Sequence, residues 1–241
     1  MSNHPSRTAF WAGVVFLLVV LTALVMGGIK VQAWLQDEQR APVQVVDFSG
    51  EFEHVNVVQL ERLIRKSQPG SFFALDVNEV FQLVESQPWI YRASVRKQWP
   101  NTLKIYLVEQ TPVAQWNEDM LLNPYGETFS ASAEGLALPR LFGPSGSEKT
   151  ALEGYNAMQS LLATTAMPIV ELSLSERFAW QIQLGNGIDL NLGRTEFIDR
   201  LQRFIDVYPL LAQQPKPVKY VDLRYDTGLA VGWETSTDEQ S

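Results

Sequence analysis

The chain has 241 residues, of which 46% are hydrophobic and 19% charged, with a formal net charge of −8. That length suits a membrane anchor plus one or two modest domains, and the acidic balance argues against a nucleic-acid surface, which needs clustered Lys and Arg. There is no Cys, and His4 and His54 are the only histidines, so disulfides, thiolate metal sites and Cys nucleophiles are excluded and a Ser-His triad has almost nothing to be made from.

Residues 8–29 carry no charged side chain between Arg7 and Lys30. At about 1.5 Å per residue, a helix over this run crosses a hydrocarbon core of about 30 Å. Trp11 and Trp34 lie near its two ends, where amphipathic rings favour the headgroup zone. The run exceeds the roughly 7–15-residue core of a signal peptide, and no convincing Ala-x-Ala site follows it. A single uncleaved transmembrane helix over residues 9–29 is therefore expected. The flanking cations, Arg7 against Lys30 and Arg40, barely vote on orientation. The short head and long tail suggest a cytoplasmic stub at residues 1–8, a linker at 30–42 and an exported body.

Residues 43–48 read as a strand ending at Ser49-Gly50. Asn56 is placed to cap a helix whose Val57, Leu60, Leu63 and Ile64 share one face. Pro69-Gly70 breaks that helix. Asp76 then opens a second, near-capping-box helix with Val77, Val80, Phe81 and Val84 as its stripe. Residues 94–99 and 102–109 flank Pro100-Asn101 as a strand pair, and Leu103, Ile105 and Leu107 alternate with Lys104, Tyr106 and Val108. The order β-α-α-β-β over residues 43–110, two helices on one face of a small sheet, is similar to a POTRA domain, a polypeptide-binding module of bacterial envelope proteins. Arg92, Arg96, Lys97 and Lys104 make the strand pair basic. They either solvate an outer sheet face or receive an acidic segment of a partner.

A second module occupies residues 111–233. Residues 120–129 read as strand, turn and strand around Asn123-Pro124-Tyr125-Gly126. The Gly/Pro-punctuated loop at 138–146 lacks the Lys-Ser/Thr end of a phosphate-binding loop. Residues 148–163 form a helix with Leu152, Tyr155, Met158 and Leu162 on one side. Strands follow at 169–174, 178–184 and 188–192, and Gly185-Asn186-Gly187 joins the last two as a hairpin. Residues 195–212 form a long helix with Phe197, Ile198, Leu201, Phe204, Ile205 and Tyr208 inward, which Pro209 kinks or ends. Arg194, Arg200 and Arg203 sit beside Glu196, Asp199 and Asp206, a pattern that reads as a solvated face. In the last ordered stretch Val221, Leu223 and Tyr225 point one way and Asp222, Arg224 and Asp226 the other. Asp226-Thr227-Gly228 supplies a tight reversal and residues 229–233 return. An unpaired edge here would accept a partner's strand. The polar, acidic residues 234–241 have nothing to bury and read as a disordered tail.

This order of parts, with Pro88-Trp89-Ile90, residues 95–100, Asn191-Leu192-Gly193-Arg194, Tyr208-Pro209 and above all residues 220–233, resembles the FtsQ/DivIB family of bacterial division proteins, gammaproteobacterial in type. The resemblance implies an α+β protein: a single N-terminal transmembrane helix, a POTRA domain, then a mixed β-sheet domain with helices. It implies a non-enzymatic scaffold at the division septum, single-pass in the inner membrane with its bulk periplasmic, without catalytic, metal or cofactor residues. FtsB and FtsL would be its main partners, beside division proteins such as FtsA, FtsK, FtsW, FtsI and FtsN, with control of septal peptidoglycan synthesis as the outcome. Carried over by motif, FtsB would meet Arg177, Arg224, Tyr225, Thr227, Gly228 and Trp233. The chemistry of these residues suits such contacts, since Arg recognises carboxylates bidentately, Tyr and Trp give rigid apolar area, and Gly lets a backbone come close.

Two other classes compete. A peptidoglycan-acting enzyme would need paired carboxylates, and no spacing singles out such a pair. A POTRA-bearing transport component predicts a β-barrel or a partner barrel, and no run of barrel strands follows Glu109.

Overall fold

The computed structural model describes residues 7–36 and 42–234. Most of the expected cytoplasmic stub, the middle of the expected linker and the tail beyond Glu234 lie outside those residues. Helix α1 (Arg7–Gln36) contains one segment long and apolar enough to span a membrane, Phe10–Trp34. Its described side chains are exposed almost all round, which fits a helix whose solvent is lipid rather than protein. The helix outruns the expected 9–29 because nothing between Ile29 and Gln36 breaks it: Lys30 is a good helix former, and no Pro or Gly follows. Beyond α1, the chain folds as two compact units that divide between Glu109 and Gln110.

The first unit runs β1 (Val45–Ser49), α2 (Val57–Ser67), α3 (Val77–Glu85), β2 (Ile90–Gln98), β3 (Thr102–Glu109), the β-α-α-β-β order read from sequence. The sheet order is β1-β3-β2, with β1 parallel and β2 antiparallel to β3. Leu103, Ile105 and Leu107 are buried under Leu60, Ile64, Val80 and Val84. Each such aliphatic side chain contributes about 1.5–3 kcal/mol by leaving water. Asn56 caps α2 by accepting the Gln59 N–H at 3.0 Å. Asp76 caps α3 through the Asn78 N–H at 2.7 Å. The return bond of a capping box is made by another residue: Gln68 Oε1 accepts the Asp76 N–H at 3.1 Å, and Glu79 instead holds the Gln68 amide. Of the four basic strand residues, Lys97 turns toward the helices. Its ammonium donates to Phe73 O at 3.1 Å and lies 5.5 Å from the Phe72 ring centre, and burial lowers its pKa.

The second unit is a nine-stranded sheet in the order β12-β11-β10-β9-β8-β7-β4-β5-β6. In chain order these are β4 (Ala114–Trp116), β5 (Met120–Leu122), β6 (Thr128–Phe129), β7 (Arg140–Phe142), α4 (Glu148–Leu162), β8 (Ile169–Leu174), β9 (Trp180–Leu184), β10 (Asp189–Gly193), α5 (Phe197–Leu211), β11 (Val218–Asp222) and β12 (Ala230–Trp233). Leu172, Leu184, Leu192, Leu201, Phe204, Val221 and Leu223 belong to one core that joins the sheet to α4 and α5. Gly154 lets α4 close on Trp180, because a Cβ there would stand 2.3 Å from the indole. Gly187 turns the β9–β10 hairpin at φ +85°. Pro209 does not end α5 at its own position, since the helix runs on to Leu211. It sits in the last turn, and the Ala212 N–H still reaches Tyr208 O at 2.8 Å.

Candidate functional site

Parallel pairing of β10 with β11 and antiparallel pairing of β9 with β10 bring three strand ends together: Trp180 at the start of β9, Gly193 at the end of β10 and Asp222 at the end of β11. The β8–β9 turn, residues 175–179, lies at the same end of the sheet. It closes with Phe178 N–H donating to Ser175 O at 2.8 Å and Ala179 N–H to Ser175 Oγ at 3.0 Å. Phe178 is therefore a turn residue at φ +57°, not the first residue of β9. Arg177 stands exposed in this turn, about 10–15 Å from β11 by ordinary strand spacing.

β11 stops at Asp222, and residues 223–229 connect it to β12. The tight reversal at Asp226-Thr227-Gly228 expected from sequence does not form. Leu223 is still buried, and its N–H donates to Asn191 O at 2.9 Å, but the chain then leaves the sheet. Tyr225 consequently departs from the face of Val221 and Leu223 and is 56% exposed. Gly228 keeps an ordinary φ, and the space where a Cβ would stand is open. Thr227 is exposed beside it.

The connection is held from below by arginines that the sequence pattern places in solvent. Arg203 Nη1 donates to Tyr225 O at 2.8 Å and to Gly228 O at 3.1 Å, so one guanidinium of α5 clasps both shoulders of the connection. Arg200 is 7% exposed and donates to Leu192 O at 2.8 Å, while its Nε has no partner among the described residues. Gly193, at φ +73° beside a bulge, makes room for it: a Cβ there would stand 2.8 Å from Arg200 Nη1 and 3.1 Å from Arg224 Cγ. Burial of Arg200 is legible in part, since it precedes Phe204 by four residues on the inward stripe. Nothing in the sequence points to the clasp by Arg203.

Arg224 is exposed and forks onto Asp222, with Nε 2.9 Å from Oδ1 and Nη2 2.6 Å from Oδ2. That hydrogen bond holds the Asp222 carboxyl below its ordinary value, and Arg200 adds to the effect; Arg224 is raised in turn. β12 is the outermost strand of its sheet, paired with β11 alone among the described strands. Tyr220 lies across Gly232, where a Cβ would meet Tyr220 Cε1 at 1.9 Å. Trp233 pairs with Val218 at the far end of β12 and is half-buried. The fold thus gathers Arg177, Arg224, Tyr225, Thr227 and Gly228 at one end of the sheet and leaves Trp233 a strand's length away. The gathered arrangement is a β-edge beside Arg224 and an exposed ring, with Arg177 farther along the same sheet end, and it suits an extended, acidic polypeptide.

Comparison with known proteins bears on the two units and the family. Residues 41–110 match the family model of the FtsQ-type POTRA domain, and residues 114–224 match that of the cell division protein FtsQ/DivIB C-terminal region. Cell division protein FtsQ of Shewanella oneidensis is 44% identical over 225 residues, covering 92% of this chain and 86% of the relative. That of Escherichia coli K12 is 41% identical over 250 residues, covering 100% and 91%. The Vibrio cholerae protein is 38% identical over 238 residues, covering 97% and 91%. A POTRA domain, a C-terminal mixed-sheet domain and one N-terminal apolar helix that fits a single-pass membrane protein place the chain in the FtsQ/DivIB family of cell division proteins.

Proposed function

We propose that this chain is a non-enzymatic scaffold of the division machinery that binds FtsB, and with it FtsL, at the β12 edge. The observation that carries the reading is the outer edge of β12, unpaired among the described residues, beside Arg224 and Tyr225. An extended FtsB segment adds to the sheet there, with main-chain hydrogen bonds giving affinity and side chains fixing register. Arg224 and Arg177 meet its carboxylates. Arg224 first has to share or leave Asp222, so selectivity rests on a partner acid that offers a better fork than the internal one. Tyr225 covers the pair and limits its hydration, and Trp233 marks where the added strand runs out. The working limits of the modules are residues 43–110 and 111–233. The helix lies in the inner membrane, with the head cytoplasmic and both modules periplasmic, and the septum is the site of action.

Calorimetry between the full chain in detergent and the periplasmic part of FtsB tests the reading. Arg224→Glu weakens binding by about 2–5 kcal/mol, since it strands a partner charge, and a Glu→Arg change in FtsB restores it. Wild-type affinity in a folded Arg224→Glu protein would sink the site. A reporter active only in the periplasm, fused after Ser241, should work; activity from a cytoplasm-only reporter reverses the topology.

A further inference from the structure

The first unit carries a cleft of ≈ 380 Å³ between the loop before α2, α2 itself and the loop from α3 to β2. One wall is a pair of rings: His54 stacks on Trp89 with centroids 4.0 Å apart and planes 8° from parallel. That wall is fixed from behind by Glu109, whose carboxylate accepts the N–H groups of Glu53, His54 and Val55 at 2.7, 2.8 and 2.8 Å. The floor is α2. Leu60 and Leu63 line it, and Arg62 and Lys66 stand one turn apart along its rim.

The charge of this cleft opposes that of the whole chain. The net charge of the protein is −8, yet the ionisable groups that line the cleft are His54, Arg62 and Lys66, with no carboxylate among the described lining residues. Two neighbouring acids are already committed, Glu109 to the backbone and Glu61 to Arg65 at 2.8 Å. Arg62 and Lys66 are exposed and take part in no hydrogen bond or ion pair among the described residues. Their Cβ atoms are about 5–6 Å apart, the spacing of two carboxylates one turn apart on another helix.

We propose that this cleft docks an acidic amphipathic helix of a partner protein, lying along α2 with its apolar side against Leu63 and Trp89 and its carboxylates on Arg62 and Lys66. A lipid surface fits less well. Peripheral membrane contacts present protruding apolar groups, whereas the apolar wall here is recessed and its rings are spent on each other. The inference is independent of the β12 edge, since every lining residue belongs to the first unit.

The test uses the full chain in phosphatidylcholine nanodiscs and two fluorescent helical peptides read by anisotropy. One carries Glu pairs one turn apart beside a Leu stripe; the other carries Lys in place of Glu. The acidic peptide should bind saturably and the basic one should not. The double variant Arg62→Glu, Lys66→Glu, at exposed positions that leave the fold intact by circular dichroism, should weaken binding at least roughly tenfold, about 1.4 kcal/mol. Arg92→Glu with Arg96→Glu, on the open face of the same sheet, should leave it unchanged. Equal losses in both double variants would mean diffuse attraction and overturn the proposal. So would absence of saturable binding, or binding that survives the Arg62/Lys66 change and disappears in Arg224→Glu. Displacement by phosphatidylglycerol vesicles, dependent on Arg62 and Lys66, would assign the cleft to lipid headgroups and overturn it as well.

Discussion

Arg92 and Arg96 in the first unit and Arg203 and Arg224 in the second all read alike in sequence, as cations on a polar face, but the fold treats them differently. Arg92 lies over its neighbour's ring, 5.0 Å from the Tyr91 centroid, and Arg96 stands directly across from Lys104. The ion pair nearby is Lys104 to Asp47 at 3.4 Å, an exposed contact worth at most about 1 kcal/mol. Arg203 and Arg224, by contrast, are fully committed, one to two carbonyls and the other to a carboxylate. For Arg203 the commitment follows backbone geometry. The ladder between β2 and β3 takes up the carbonyls beside Arg92 and Arg96, so neither guanidinium is drawn to the backbone. A connection that leaves the sheet exposes carbonyls that need donors, and a helix underneath supplies them.

The contrast is most severely tested by Gly232→Val. Its Cβ would occupy the space of the Tyr220 ring, so that half-exposed ring must swing off the strand and loosen the β11–β12 pair. Overpacking of this kind costs about 1–3 kcal/mol, and the proposed FtsB binding should fall below detection in calorimetry while the first unit keeps its own melting transition. Next comes Arg203→Ala. It removes a charged donor from Tyr225 O and Gly228 O, worth about 1–2 kcal/mol. Amide exchange in residues 223–229 should quicken and FtsB affinity fall roughly tenfold; unchanged exchange would show that the clasp does not order the connection.

A smaller effect is expected from pH. The folded Asp222 carboxyl sits below its ordinary value of 3.8 because Arg224 hydrogen-bonds it. Its contribution is therefore complete above about pH 4–5 and is lost as pH falls through the lower folded value. The stability difference between wild type and Asp222→Asn should stay flat from about pH 5 to 8 and shrink on further acidification. A difference that instead grew on acidification would contradict the pairing. Smallest is Arg96→Glu, which replaces a like-charge pair with Lys104 by an opposite one. Thermal melting should move within about 0.5 kcal/mol, toward stability.

Much of the architecture is legible in the residues themselves. Asn56 and Asp76 announce their helices, the alternation of Leu103, Ile105 and Leu107 announces a half-buried strand, and Gly185-Asn186-Gly187 announces a hairpin. Each signal acts over a few residues, where dihedral preference and side-chain period dominate. The alternation from Val221 to Tyr225 misleads for the same reason. Periodicity reports which way side chains would point if the strand continued, and cannot report that pairing with β10 ends near Asp222.

The apolar span of α1, the β-α-α-β-β order of the first unit and both helices of the second follow from local sequence. So do the motifs that mark the family. By contrast, β7 (Arg140–Phe142) forms inside the stretch 138–146 that reads as a loop, because its pairing with β4 and β8 is made by residues far along the chain. Three features emerge only once the chain is folded: β12 is an outermost strand, Arg177 shares a sheet end with Arg224 while Trp233 does not, and Arg203 holds the connection between β11 and β12. Those are outcomes of strand order and of contacts between residues far apart in the chain. Hydrogen-bond partners of that kind are chosen by which backbone groups the finished sheet leaves unpaired.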